Sequence, residues 1–468
     1  MKFMPALLSV VLLLTLGAGP GDTPSTALAD HYIYLPLILR QPSPSNNLNV
    51  HAATYLGGTG GDALNAVDVT PTKEVVLGGT MPGHNPGGVS PTPLLGGGDG
   101  VVVRLNKTGR SVLSVTRIGD IVNDLEINAS GDLLVCGDFG VALLDATASS
   151  VSWSATPGTG ERCALGDDGT AAVLVDDTLH TYGSGGSPHH SWTVAGNGRS
   201  DVAVAGAKGL VVATGYTQKT TDLQVAFLRA WDYEGNAAWT SYDFSASAIS
   251  GQGLGADTQG RRVALGRDGL LYFAGTSSGG TGSSIFSRDP KNVTQKLGSD
   301  RYITTDRYNN PYNVSNKTVT WYGRYDPADG TLEMGQPLLV RLSSGKGNSI
   351  SPRSIMANES GYIFVAGETY ASIENRDQRK VAGTPVGPYS EGEAFLLIVG
   401  PNLQQRFIWT PFSGPGESAK KSPATGVSVR NGTAAIAITL NNGSLITHEA
   451  LQPEHSTLSE GYTAVWSW

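Results

Sequence analysis

Apolar and polar positions alternate with a period of two along most of the chain, in short runs that stop at glycine. That alternation marks strands rather than helices, and no stretch sustains a helical period. The runs recur in pairs. A copy opens on an acidic or polar residue and a short alternating strand, crosses a glycine turn, then runs through a second apolar strand ending at Gly plus a polar residue. The clearest forms are DALNAVDVTPTKEVVLGGT (62–80), NDLEINASGDLLVCGD (123–138), DVAVAGAKGLVVATGY (201–216), RVALGRDGLLYFAGT (262–276) and SIMANESGYIFVAGE (354–368). RCALGDDGTAAVLVDD (162–177) is a weaker copy, and ATGVSVRNGTAAIAITL (424–440) a seventh.

A third strand follows each pair, such as DGVVVRLNKTG or VAFLRAWDYEG, and six copies add a fourth. Several fourth strands carry a tryptophan at a matching place: Trp153, Trp192, Trp239 and Trp409. Four-stranded units repeating at about 40 to 60 residues predict a β-propeller. The expectation is an all-β, seven-bladed propeller of four-stranded antiparallel blades, forming a single domain over 50–468. The seventh copy lacks a fourth strand, while HAATYLGG (51–58) precedes the first copy as an extra one. Pairing 51–58 with the C-terminal strand YTAVWSW would close the ring and remove two free edges.

The stretch TYLGGTGGDALNAVDVTPTKEVVLGGT resembles the bacterial seven-bladed propeller repeat known as SBBP or beta-propeller repeat. The likeness is close over blade one; blades four, five and six keep the Gly-Tyr, Gly-Thr and Gly-Glu ends. It implies an extracytoplasmic propeller, often a module of surface proteins, and brings no catalytic residues with it.

Composition fits short strands and tight turns: 62 glycines, 25 prolines and 15% charged residues, with a net charge of −8. There is no basic footprint, so nucleic acid is not an expected partner. Lys2, an apolar run from Pro5 to Leu16 and Ala27-Leu28-Ala29 before Asp30 read as a signal peptide over 1–29. Residues 30–49, an apolar patch then a Pro/Ser/Asn linker, are too short to span a bilayer. The expected location is secreted, extracellular or at the cell surface.

Loops joining second and third strands differ in length around the ring. They are short in blades two, three and four, and long in blades five (277–318), six (369–392), seven (441–461) and one (81–98). Long loops gathered on one arc suit a binding crescent. In blade five Arg301, Tyr302, Arg307, Tyr308 and Tyr312 offer forked donors and aromatic faces for a glycan or an extracellular protein; the plain alternative is that the tyrosines pack on the propeller.

Asp62, Asp124, Glu161, Asp201 and Glu417 fall near the starts of first strands. A carboxylate ring from Asp62, Asp124 and Asp201 would suit Ca²⁺ or a cationic ligand; the alternative is hydrogen bonding to turn amides. Asp326 and Asp329 only partly resemble a calcium loop, and His84, His448, Glu449, Glu454 and His455 lack a fixed zinc spacing. Cys136 and Cys163 fall at strand ends of neighbouring blades, where a disulfide would clamp them. No G-x-S-x-G elbow and no Asp-box repeat occurs. The function expected is a non-catalytic binding propeller, no cofactor beyond possible calcium; the alternative is a polysaccharide hydrolase or lyase with carboxylates near the axis.

Overall fold

The computed structural model describes residues 43–279, 282–310, 315–389, 391–416, 419–456 and 458–468. The expected signal peptide, Tyr312 and Glu417 lie outside them, as does most of 30–49. Among the described residues no helix is long and apolar enough to cross a membrane.

The chain forms a β-propeller of small antiparallel sheets. Sheet 1 is Ala63–Val69, Val75–Thr80, Gly100–Leu105 and Val112–Ile118, with Thr92–Leu94 added at its outer edge. Sheet 2 is Val122–Ile127, Leu133–Gly137, Gly140–Leu144 and Val151–Ala155; sheet 3 is Arg162–Leu165, Ala171–Val175, Thr178–Tyr182 and Pro188–Thr193. Sheet 4 is Gly198–Ala205, Leu210–Thr220, Leu223–Asp232 and Ala237–Tyr242; sheet 5 is Asp257–Leu265, Leu271–Gly279, Ser315–Tyr325 and Leu332–Leu338. Sheet 6 is Ile350–Ala357, Ile363–Thr369, Glu393–Val399 and Arg406–Pro411. Sheet 7 is Ala424–Arg430, Thr433–Leu440 and Glu460–Ser467, completed by Ala52–Leu56.

Seven blades of four strands each were expected, and this is corrected: eight sheets of three or more strands form. Sheet 1 has five strands. Sheet 8 is three-stranded, built from Asn47–Leu48, Lys380–Val381 and Thr384–Pro385. Its two-residue strands come from the segment read as linker and from the blade-six loop, with Lys380–Val381 in the middle. Two residues are too few to show alternation, so no repeat pattern marks them.

The strand from 51–58 closes the ring as an antiparallel partner of the last strand, Ala52 opposite Val465 and Leu56 opposite Gly461. First strands of sheets 1 to 7 pack on one another in order, and Ala424–Arg430 returns onto Ala63–Val69. Apolar side chains are buried at the seams between sheets. Val122, Leu125 and Val135 meet Val76 and Val102 at one seam; Ala435, Ala437 and Val465 meet Val67 and Leu77 at another.

The glycine near the end of the second strand in sheets 1 and 2 has a steric cause. A Cβ on Gly79 would lie 2.0 Å from the Ala63 carbonyl oxygen, and one on Gly137 1.9 Å from that of Ile121. The second strand there presses against a first strand that bulges toward it, an approach only glycine allows.

The long loops do not simply crown one face. Thr92–Leu94 pairs in parallel with the outer strand of sheet 1. In the sheet 5 insertion, Ile303 N–H donates to Gly335 O at 2.9 Å and Gly335 N–H to Arg301 O at 2.9 Å. In the sheet 7 insertion His448 exchanges backbone hydrogen bonds with Ala53 at 2.8 and 2.9 Å. Ser45 N–H reaches Phe407 O on the outer strand of sheet 6 at 2.8 Å. Each of these segments covers strand edges that would otherwise offer unpaired amides and carbonyls.

Candidate functional site

Three constellations are candidates: the ring axis, the closing joint and a groove at the rim of sheets 5 and 6.

At the axis, first strands carry a bulge at one matching place, between Leu64 and Ala66, Val122 and Asp124, Arg199 and Asp201, Gly260 and Arg262, Pro352 and Ser354, and Ala424 and Gly426. The bulge re-aims the next side chain and increases the local twist. Asp124, Asp201 and Arg262, each just past its bulge, and Arg162, on the unbulged first strand of sheet 3, line the axial channel in alternating sign through sheets 2 to 5, with Arg353 beside them. Arg162 Nη1 is 3.8 Å from Asp124 Oδ2, and Asp201 Oδ2 accepts from Val263 N–H at 3.0 Å. Two positions further on, Asp68 and Glu126 form a second layer. Asp68 takes Arg267 Nη2 at 2.9 Å, Ser428 Oγ at 2.5 Å and Ile127 N–H at 2.7 Å.

Burial sets the protonation here. It pushes Asp124 up to about 6 against the pull of Arg162, and Glu126 up to about 8, with Asp68 adding repulsion. Burial opposes ionisation of Asp68 too, but Arg267 and Arg430 hold it below the usual carboxylate range. Arg262 falls to about 9 through burial and the neighbouring Arg162. The free channel volume is about 90 Å³, room for about three waters and well short of an ordinary ligand pocket.

Asp62 is not on this axis. It lies at the closing joint, fully buried, Oδ2 accepting Gly58 N–H at 2.7 Å and Oδ1 without a hydrogen-bond partner. Burial raises it to about 6, Gly58 N–H opposing and Glu460 reinforcing. The proposed carboxylate trio is therefore split, with Asp124 and Asp201 near each other and Asp62 elsewhere. Among the described residues no group of three His, Cys, Asp or Glu is placed to hold a metal.

Cys136 and Cys163 come together on neighbouring sheets as free, buried thiols, and burial pushes both thiols up. Asp326 and Asp329 close a tight turn onto Ala328 N–H and Thr331 N–H at 2.8 Å each. His455 packs on Tyr55 at 5.2 Å, and His84 flanks Gly58.

The rim groove consists of two adjoining clefts sharing Asn375. One, about 620 Å³, is lined by Arg307, Arg341, Leu342, Asp377 and Tyr389 among others. Its neighbour, about 530 Å³, is lined by Asn46, Asn309, Gln404, Gln405 and Arg406. Arg376 fixes the wall: it forms a buried ion pair with Glu393 and donates to Gly387 O at 2.9 Å and Pro388 O at 3.0 Å. Glu393 is fully buried and pushed up to about 7, Arg376 and the Ser413 hydroxyl opposing the rise. Arg406 holds Asp306 at 2.9 Å and Glu374 at 3.2 Å, tying the two insertions together.

Of the five aromatic and arginine candidates, Arg307 is exposed in this groove, its guanidinium 4.9 Å from the Tyr308 ring. Tyr308 is only 6% exposed and sits edge-on to Trp409. Arg301 bonds Asp289 at 2.7 Å and Leu332 O at 3.1 Å, and Tyr302 leans on Trp321 at 5.4 Å. The axial arginines and the groove residues Arg341, Leu342, Asn375 and Tyr389 were not singled out from sequence. The axial set follows from how the first strands bulge and pack, which no residue type announces; the groove set comes from segments far apart in the chain.

No family model matches this chain, and no curated protein matches it. The resemblance to the SBBP repeat thus rests on the blade-one residues alone.

Proposed function

We propose that the protein is a non-catalytic binding propeller that engages a polysaccharide through the rim groove between sheets 5 and 6. The observation that carries this reading is the groove's lining: amides from Asn46, Asn375, Gln404 and Gln405 beside Arg307, Tyr389 and the 43% exposed Leu342. Hydroxyl-rich ligands are held by such amide and guanidinium donors, with ring faces stacked on an aromatic side chain. Each cleft has the volume of an ordinary ligand site. The enzyme reading would place chemistry at Asp124 and Asp201, where arginines and a narrow channel leave little room. The proposal puts the protein outside the cytoplasm, on the strength of the leader-like segment at 1–29.

The test is a glycan array with and without Ca²⁺, followed by calorimetry on the hits. Arg307→Ala and Tyr389→Ala should each weaken binding at least tenfold, and Asp124→Asn should leave it unchanged. Turnover of a hit that Asp124→Asn or Asp201→Asn abolishes would overturn the proposal in favour of a propeller enzyme. Silence across the array, with capture of a protein ligand at the same groove, would overturn the polysaccharide assignment.

A further inference from the structure

The larger of the two rim clefts carries an excess of positive charge that its neighbour does not. Arg307, Arg341 and Arg376 line it against a single carboxylate, Asp377. Arg376 is neutralised by the buried Glu393, so two arginines are left against one exposed acid. In the adjoining cleft the charges cancel: Arg406 pairs with Asp306 and Glu374, and Arg379 lies 3.9 Å from Glu374. Two further exposed charges close by in sequence, Lys346 after Gly345 and Glu391 after Tyr389, offset each other.

An exposed arginine ordinarily loses much side-chain freedom when it grips a ligand. For Arg307, folding has already removed part of that freedom. Its guanidinium lies over the Tyr308 ring, 4.9 Å from the centroid, and Nη2 donates to the Tyr308 hydroxyl at 2.9 Å. Tyr308 is itself fixed, buried and edge-on to Trp409. Arg307 O accepts from Arg341 Nε at 2.9 Å, which brings a second guanidinium against the Arg307 backbone, and Arg341 Nη1 donates to Gly345 O at 2.9 Å. Among the described residues Arg307 forms no ion pair, and its Nε and Nη1 have no acceptor in the protein.

We infer that the polymer bound in this groove is an acidic polysaccharide, with a carboxylate or sulfate group held by Arg307 in the field of Arg341 and a sugar ring against Tyr389. The inference rests on the polysaccharide reading above and adds the charge of the ligand to it. A guanidinium bonds anionic oxygens more strongly than neutral hydroxyls, and its planar fork matches their geometry. An anion between Arg307 and Arg341 also relieves the repulsion of two like charges, which a neutral sugar leaves in place. The chain's net charge of −8 does not reverse this preference. At physiological salt the field of distant acids fades over about 8 Å, so the groups lining the cleft decide.

A glycan array of uronate-bearing, sulfated and neutral glycans tests this, with calorimetry of the whole protein on the hits and on poly-glutamate as an anion without sugar. Hits should be confined to acidic glycans, and the uronate and sulfate arms tell which group is held. Arg307→Gln should weaken them at least tenfold, with Arg307→Lys recovering only part of the loss. Asp377→Asn, which removes the lining carboxylate, should tighten binding about threefold. Thermal melting unchanged in these surface variants separates lost binding from lost folding; if Arg307→Gln unfolds, Asp377→Asn and the salt dependence of the hits take its place. Neutral glycans bound as tightly as acidic ones, and still weakened by Tyr389→Ala, would overturn the acidic assignment and leave the polysaccharide reading standing. No hit on any glycan would overturn both. Poly-glutamate bound as tightly as any acidic glycan would overturn the sugar in favour of an acidic peptide.

Discussion

Tyr308 and Trp409 meet edge-on with ring centroids 5.4 Å apart, although they belong to the insertion of one sheet and the outer strand of the next. The contact explains why Trp409 is fully buried while Trp153, Trp192 and Trp239, on the outer strands of sheets 2, 3 and 4, are half-buried. Tyr308→Ala should cost about 3 kcal/mol, at the lower end for an aromatic truncation in a core. Tyr308→Phe should cost under about 1 kcal/mol, because the hydroxyl's hydrogen bond is to the exposed Arg307. Denaturant titration of both variants, followed by tryptophan fluorescence, checks the pair.

Glu393 and Arg376 form the ion pair that anchors the sheet 6 insertion. Removing one partner leaves a buried charge alone, so Glu393→Ala should destabilise by roughly 3–5 kcal/mol. Replacing both with apolar residues of similar size should cost less than either single change. Thermal melts of the three variants decide this, and loss of groove binding should accompany the single variants.

Glu126 makes stability depend on pH in a direction opposite to an ordinary salt-bridged acid. Its folded-state value, about 8, lies above the ordinary glutamate value of 4.5. Between those values the folded protein holds a proton that the unfolded chain has lost, so this group's contribution falls as pH rises through that window. Glu126→Gln keeps the acceptor for Leu165 N–H and removes the titration. The variant should lose less stability than wild type between pH 5 and pH 8. Near pH 8 it should be the more stable by roughly 1–2 kcal/mol, reduced from the full linkage value by water in the channel. Urea titrations across that range provide the measurement.

Cys136 and Cys163 face each other as buried, free thiols on neighbouring sheets, so oxidation to a disulfide is the expected response to an oxidant. Treating the folded protein with diamide, which accepts the two electrons and two protons, should leave no thiol reactive after denaturation without reductant. Intact mass should fall by two hydrogens. Cys136→Ser should block that change, and the oxidised protein should melt several degrees higher if the bridge forms without strain.

Strand periodicity, the terminal glycines and the extra strand at 51–58 were legible because each leaves a mark within a few residues. The glycines in particular have a cause that can be named: the Ala63 and Ile121 carbonyls crowd Gly79 and Gly137. Sheet 8 was not legible, since Asn47–Leu48 and Lys380–Val381 meet over more than three hundred intervening residues and are too short for a pattern. At the axis Asp124 and Asp201 could be placed from their position in the repeat, but Arg162 and Arg262 escaped notice. Where they point is settled only when neighbouring strands pack, with a bulge turning Arg262 and none turning Arg162.

The closing pair also determines how the ring bears load. Ala52 pairs with Val465, so the entry of the first strand and the exit of the last lie side by side at one end of an antiparallel ladder. A pull applied to residues on either side of that pair would strain one rung at a time, starting at His51 and Val465 and ending at Leu56 and Gly461. The ring would then open as a zipper opens, at low force. A pull between the rim groove and the segment before Ala52 would instead slide Asn47–Leu48 along its parallel neighbour, loading both residues together. A ligand tugging on the groove is therefore resisted by the small sheet at the rim before any tension reaches the closing joint.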